Sequence, residues 1–277
     1  MTDWETYIAG FHARHPGITE QVLTRAYAGE LTPYRWLARA VTGARVLDLA
    51  CGNSVLAATL TQQSAQQSAQ QSAKQSAKQS APQSPSWVVG IDLARAELLD
   101  GRARGRSGPL VQGDVTALPF ADARFDAVSC SAGLMVSGHV DTVLAEAARV
   151  LRVGGVLAAT VASALPLRPQ DMRVLVSLTA RLRATPQFPT GPELTGLTAS
   201  LETAGFRVLE DARERFGFVV RTLDDARLLL RSLYLPGTSD RRRESAARWL
   251  GERAGGTDDG VEVPLPIRRV VALRIWS

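Results

Sequence analysis

The chain has 277 residues, a net charge of +5, 45% apolar residues and 21% charged ones. That balance excludes a wholly disordered chain, and the longest apolar stretch, Val156 to Leu167, is broken by Thr160, Ser163 and Pro166 and is too short to span a bilayer. The first ten residues hold Asp3 and Glu5 and no apolar run, so no signal peptide is expected and a cytoplasmic protein is the default.

In chain order, residues 4–15 and 18–28 read as short helices separated by Pro16-Gly17, and Pro33 opens a third over residues 34–42. Apolar runs punctuated by turn residues predict strands over 45–50, 87–93, 109–115, 125–131 and 155–161. Helical stretches separate them, the clearest at 141–151, with Val143, Leu144, Ala147, Val150 and Leu151 on one side. Residues 62–85 interrupt this alternation with a Gln-Ser-Ala repeat in which serine recurs every four residues from Ser64 to Ser84. The repeat has no large apolar side chain, so a disordered or fraying insertion is expected; a helix running on would set Ala65, Ala69, Ala73 and Ala77 in a weak stripe. After residue 162 come helices over 171–183 and 193–204, a strand over 206–219, and a helix over 223–234 opened by a capping box of Thr222 and Asp225. A helix over 239–254 and a strand over 261–276 close the chain. The alternation predicts an α/β fold with a doubly wound, mostly parallel, seven-stranded sheet. It divides into an N-terminal helical lid (1–43), a core (44–162, carrying the repeat) and a remainder with helical cap insertions (163–277).

In such sheets ligands bind beyond the carboxyl ends of the strands. The first predicted strand runs into V-L-D-L-A-C-G-N-S at 46–54, with Asp48 near its end and Gly52 permitting a tight turn. The dinucleotide pattern G-x-G-x-x-G is absent, and Asp48 would repel a phosphate but suit a cation. The second strand ends in Ile91-Asp92, where an acid can accept ribose hydroxyls. The third ends in Gly113-Asp114-Val115, followed by A-L-P-F at 117–120; the fourth begins Phe125-Asp126, and R-V-L-R-V-G-G fills 149–155. Taken in order across residues 46–155, these motifs resemble the class I S-adenosylmethionine-dependent methyltransferases, with the bacterial small-molecule branch of the ubiquinone and biotin pathways nearest.

The resemblance implies a Rossmann-like fold and S-adenosyl-L-methionine as cofactor. It implies that Asp48 orients the methionine ammonium, that Ala50, Cys51, Gly52 and Asn53 form the loop beside it, and that Asp92 and Leu93 meet the ribose. Asp114 and Val115 would take the adenine, and Cys130 and Ser131 would lie beneath the methionyl portion. Two glycines of the family's loop are replaced, by Ala50 and Ser54, and Val153 stands where proline is usual. His12, His15 and His139 are candidate general bases if the N-terminal segment folds over the cofactor, and plain surface residues otherwise. Tyr7, Phe11, Tyr34 and Tyr234 are candidates for an apolar substrate wall between lid and cap. Asp126, at the far end of its strand, reads as structural, and Cys51 and Cys130 read as buried small hydrophobes.

Other classes fare worse. Two cysteines exclude a disulfide framework or a Cys-rich zinc site, and the three histidines lack zinc spacing, so no metal is expected. All basic residues but Lys74 and Lys78 are arginines scattered among 27 acids; the clusters Arg102, Arg104, Arg106 and Arg241–Arg243 read as solvated ends, not a phosphate track. S-C-S-A-G at 129–133 is neither the Asp/Asn-Pro-Pro motif of DNA amino-methylating enzymes nor the Pro-Cys of RNA cytosine-5 enzymes. A hydrolase G-x-S-x-G is absent. A nucleic-acid methyltransferase, a non-methylating use of the cofactor and a cofactor-binding regulator stay as alternatives; the expected partner is a small molecule, not nucleic acid or membrane.

Overall fold

The computed structural model describes residues 3–73, 85–106 and 108–276. Five parallel strands form its centre: β2 (Arg45–Leu49), β3 (Trp87–Asp92), β4 (Leu110–Gln112), β5 (Phe125–Ser131) and β6 (Leu151–Ala162). The long β7 (Phe206–Val220) and β8 (Val261–Arg274) form an antiparallel ladder that joins the sheet through β8 and β6. A two-residue strand, β1 (Ala26–Tyr27), adds to the outer edge of β7, giving the order β1-β7-β8-β6-β5-β2-β3-β4. The fold is thus the expected doubly wound α/β sheet, with an eighth strand supplied by the N-terminal segment.

Helices cover both faces, as the near-continuous apolar strands require. On one side α3 (Pro33–Ala38) and α4 (Val55–Ala73) enclose Leu37, Val46, Leu56, Leu60, Ala127 and Ala158. On the other, α6 (Val140–Val150) and α8 (Leu197–Thr203) lay Val143, Leu144, Ala147, Leu197 and Leu201 against Leu49, Val128 and Leu157. The helix α5 (Arg95–Ala103) links β3 to β4. A separate core forms where α7 (Pro169–Leu182), α9 (Leu223–Arg231) and α10 (Asp240–Gly255) pack on β7 and β8 around Phe216, Phe218, Leu229 and Leu250. The α9 capping box is present: Thr222 Oγ1 accepts from Asp225 N at 3.1 Å, and Asp225 Oδ2 accepts from Thr222 N at 3.1 Å.

Several sequence expectations need correction. The second helix, α2 (Ile18–Leu23), stops five residues early because Ala26 and Tyr27 are drawn into the sheet opposite Phe218 and Gly217. The segment 193–204 splits into a short 3-10 turn at Pro192–Leu194 and α8, at the left-handed Gly196. The repeat is not disordered at its start: α4 continues to Ala73, since alanine and glutamine are good helix formers and inherit the helix begun by the buried Val55, Leu56 and Leu60. Residues 74–84 of the repeat lie outside the described residues. Ser64 Oγ donates to the carbonyls of Leu60, at 3.0 Å, and of Pro85, at 3.3 Å, so the two ends of the insertion meet beside α4.

Candidate functional site

Strand order reverses between β2 and β5: the chain steps outward from β2 through β3 to β4, and from β5 to β6 in the other direction. The loops leaving these two strands diverge and open a crevice. After β2 the backbone turns through Ala50 (φ 49°), Gly52 (φ 51°) and Ser54 (φ 67°) into α4. All three are left-handed, a conformation that glycine adopts freely and that costs other residues about 1 kcal/mol each. Ala50 and Ser54 therefore preserve the turn their glycine counterparts would make. A Cβ at Gly52 would collide with the Glu20 carboxylate.

Parallel register sets Asp48 beside Ser129, whose Oγ donates to Asp48 Oδ1 at 2.9 Å. Asp48 is 1% exposed; burial pushes its carboxyl up to about 7, against the pull of the Ser129 hydroxyl and with help from Asp92 and Glu20. Asp92, ending β3, accepts from Gly52 N and Ala94 N, each at 2.8 Å. Burial raises its carboxyl too, opposed by these two donors.

Two further acids complete the pocket, neither singled out by the sequence. Glu97 of α5 is buried, accepts from Gly17 N at 2.8 Å and lies 2.7 Å from His12 Nδ1. Glu20 of α2 is buried over Gly52 and accepts from Asn53 N only at 3.4 Å. Burial and the nearby Glu97 push its carboxyl up to about 7. Glu20 Oε2 and Asn53 Oδ1 are buried with no hydrogen-bond partner among the described residues. No pattern marks either acid: Glu97 reads as an ordinary first-turn acid, and α2 is too short to show a period.

Four carboxylates, Glu20, Asp48, Asp92 and Glu97, thus line one crevice, and among the described residues His12 is the only basic side chain bonded to any of them. Buried carboxylates without cationic partners are costly unless a cation or hydroxyl donors satisfy them. Among the described residues no three His, Cys, Asp or Glu side chains are arranged to hold a metal ion. The donor set, with two orphaned oxygens beside a tight backbone turn, suits an organic cation carrying a diol. Beyond Asp92, Leu93 is 65% exposed, and Asp114 is exposed, its Oδ1 accepting from Thr116 N at 2.8 Å, with Val115 half-buried next to it. At the end of β5, Cys130 is buried and Ser131 half-buried. Burial pushes the Cys130 thiol up to about 12, and raises Cys51 well above its usual range, so neither is poised as a nucleophile. Cys51 fits because residue 90 is glycine: a Cβ there would stand 2.7 Å from its Sγ. Asp126 lies at the opposite end of β5, accepting from Arg45 N at 2.8 Å and pairing with Arg152 at 3.1 Å.

An aromatic wall borders the crevice. Phe11 and Tyr7 of α1 (Trp4–Arg14) meet Tyr234 edge-on, with centroids 4.6 and 6.4 Å away, and Phe188 closes from the far side at 5.9 Å. The Tyr7 hydroxyl accepts from Leu235 N at 3.0 Å, and His12 Nε2 lies 2.9 Å from the Tyr234 hydroxyl. His12 thereby bridges the acid pocket and the wall. Burial disfavours its charged form, but the Glu97 hydrogen bond and the fields of Glu97, Glu20 and Asp92 outweigh that and raise its affinity for a proton. The other candidates disperse. Tyr34 joins the core under α3 with Leu37 and Leu56. His139 precedes α6 at the surface, 3.6 Å from Glu5. His15 caps the C-terminal end of α1, half-buried and edge-on to Phe11, away from the four acids.

Residues 47–159 match the family model described as a methyltransferase domain. Demethylmenaquinone methyltransferases of Mycobacterium tuberculosis and Thermobifida fusca are 37% and 36% identical over 113 and 132 residues, spanning 41% and 48% of this chain. The matches cover 38% and 49% of those proteins, so the chain spans less than half the length of these curated relatives. Among solved structures, the [4+2]-cyclase SpnF superposes with a TM-score of 0.58 at 17% identity, over 98% of this chain and 96% of that one, a likeness of fold alone. No helix among the described residues is long and apolar enough to cross a membrane.

Proposed function

We propose, from the premise that residues 47–159 belong to the class I S-adenosylmethionine-dependent methyltransferase family, that the chain binds this cofactor in the acid-lined crevice and transfers its methyl group to an O, N or C atom of a small molecule. The observation that carries the reading is the set of buried or half-buried, cation-poor carboxylates around Gly52, two of them on the family's motif positions Asp48 and Asp92. Asp92 would accept the ribose hydroxyls, Asp48 and Glu20 would face the ammonium and sulfonium charges, and the exposed Leu93 with Asp114 and Val115 would receive the adenine. Because the Glu20 carboxylate lies against Gly52, that side chain would have to swing aside for the methionyl portion to pass. When bound, the cofactor supplies a methyl group already activated on sulfur. The chain's own task is to align the acceptor, exclude water and take up a proton where the acceptor loses one.

For that last step we assign the His12–Tyr234 pair: the imidazole would receive the proton through the phenol it already touches. The N-terminal segment, with α1 and α2, acts as the lid, and α9 and α10 as the cap; a cytoplasmic place of action belongs to the same reading. The preserved left-handed turn at Ala50 and Ser54 supports a working cofactor loop. Many arginines are engaged in ion pairs, which speaks against a nucleic-acid track. Calorimetry with S-adenosylmethionine, S-adenosylhomocysteine and NAD tests the binding step: the first two should bind and the third should not. Incubation with methyl-labelled cofactor and a metabolite extract, read by mass spectrometry, tests transfer. Absence of binding by both adenosyl compounds would sink the proposal.

A further inference from the structure

A second opening lies beside the aromatic wall. It is a cleft of about 670 Å³ between α1 and the pair α9–α10, a size suited to a small molecule. Tyr7 and Phe11 form its floor together with Leu230 and Leu235, so it shares two side chains with the wall that His12 and Tyr234 complete. Its rim is basic. Arg14, Arg227, Arg231 and Arg243 converge on it against only two acids, Asp240 and Glu244.

The four arginines are not equivalent. Arg227 is neutralised by Glu244, at 2.7 Å, and by Asp224, at 3.3 Å. Arg243 donates to the carbonyls of Leu230, Leu233 and Leu235 and so shapes the cleft wall, but among the described residues it has no carboxylate partner. Arg14 and Arg231 are exposed and form no ion pair among the described residues. His15, also lining the cleft, is disfavoured as a cation by burial and then by Arg14, Arg231 and Arg243, which outweigh Asp240. The positive field in the cleft is therefore not cancelled by the chain itself.

We infer that this cleft recognises an organic anion, a carboxylate or phosphate group on an apolar body, with Arg14 and Arg231 as the anion clamp and Tyr7, Phe11 and Leu230 as the apolar bed. This rests on the methyl-transfer reading and narrows it: the acceptor's anionic end is held in the cleft, and its other end is directed along the Tyr7–Phe11–Tyr234 wall toward His12. Guanidinium groups suit both oxyanions, because their forked donors match two oxygens at once.

The test uses the full chain and three aromatic probes: phenyl phosphate, benzoate and uncharged benzamide, with inorganic phosphate as the bare anion. Calorimetry should show one or both aryl anions binding at least about tenfold more tightly than benzamide and than inorganic phosphate, each charge-assisted bond being of that order. A preference for phenyl phosphate assigns a phosphate ester, and one for benzoate assigns a carboxylic acid. The variant R14A/R231A, whose side chains form no hydrogen bond or ion pair among the described residues, should lose at least about tenfold in aryl-anion affinity with unchanged melting temperature and unchanged S-adenosylmethionine affinity. Labelled products from a metabolite extract should be retained on an anion exchanger. Equal binding of benzamide, equal binding of inorganic phosphate, an unaffected double variant or an uncharged labelled product would each overturn the assignment while leaving methyl transfer standing. Loss of cofactor binding in the unaltered chain would instead overturn the reading beneath it.

Discussion

Buried charge is handled in opposite ways at the two sides of this sheet. Along the β7–β8 ladder, two of the three buried arginines have their acids: Arg215 donates to both oxygens of Asp171, at 2.6 and 2.7 Å, and Arg268 to both of Asp211, at 2.6 and 2.8 Å, while Arg274 donates to the Leu151 and Trp276 carbonyls. Around Gly52 the buried acids Glu20 and Asp48 and the half-buried Asp92 have no arginine or lysine bonded to them among the described residues. The pairing pulls Asp171 and Asp211 below the usual carboxylate range, through their arginine hydrogen bonds; burial lifts Glu20, Asp48 and Asp92 above it. The first arrangement is complete within the chain. The second has no such partner among the described residues, and on the function proposed above a cationic cofactor would supply it.

The largest effect expected from breaking the comparison is on the paired side. Asp171→Ala leaves the Arg215 guanidinium, 8% exposed, with only its Glu262 contact and should lower stability by up to about 3–5 kcal/mol, read by denaturant unfolding. On the crevice side the sign should reverse. Glu20→Gln removes an unpaired buried charge and should leave the cofactor-free protein as stable or up to about 3 kcal/mol more stable at pH 8, while weakening S-adenosylmethionine at least about tenfold. A variant that lost stability as Asp171→Ala does would show that Glu20 has a partner of its own. Asp92→Ala should weaken S-adenosylmethionine and S-adenosylhomocysteine alike, by about 1.5–3 kcal/mol, since both present the same ribose.

The pH dependence sharpens the same contrast. Glu20 and Asp48 hold their protons up to about 7 in the folded chain and only to ordinary carboxylate values when unfolded. The folded state binds more protons between those values, so this contribution to stability is full at low pH and is lost as pH rises through about 7. Cofactor affinity should move the other way, rising from pH 6 to 7.5 with proton release on binding, measurable by calorimetry in buffers of different ionisation enthalpy. Affinity independent of pH in that window would take these two acids out of the site. A smaller effect belongs to Ala50→Gly, which relieves a left-handed alanine and should change stability by about +1 kcal/mol or less with cofactor affinity kept.

Much of this was legible in the residues. The strand–helix alternation and the motif spacing give the sheet, its switch point and the positions of Asp48, Gly52 and Asp92. Wherever a residue's role depends on a partner distant in sequence, that legibility ends. Glu20 and Glu97 meet Gly52 and Gly17 across 32 and 80 residues, and nothing in their own helices marks them. Tyr34 and Tyr234 read alike as lid or cap aromatics, yet one packs under the sheet and the other touches His12. Arg243, read as part of a solvated cluster, turns inward to three carbonyls because the 233–238 loop needs donors there. The N-terminal strand β1 was hidden because two residues carry no period, and its place is set by the free edge of β7.

The bond from Ser64 to the Pro85 carbonyl has a practical bearing. Two points 21 residues apart in sequence are already neighbours, so the tract between them is an appendage on a complete strand–helix–strand unit rather than a span that the unit needs. Removing residues 65–84 should shift melting temperature and cofactor affinity least of all the changes named here, loop closure varying by only about 0.6 kcal/mol per doubling of length. Tandem units of four residues are prone to gain or loss when a gene is copied, and at this address such changes would be neutral. The same position makes a natural port for grafting an epitope or a fluorescent partner onto the folded chain.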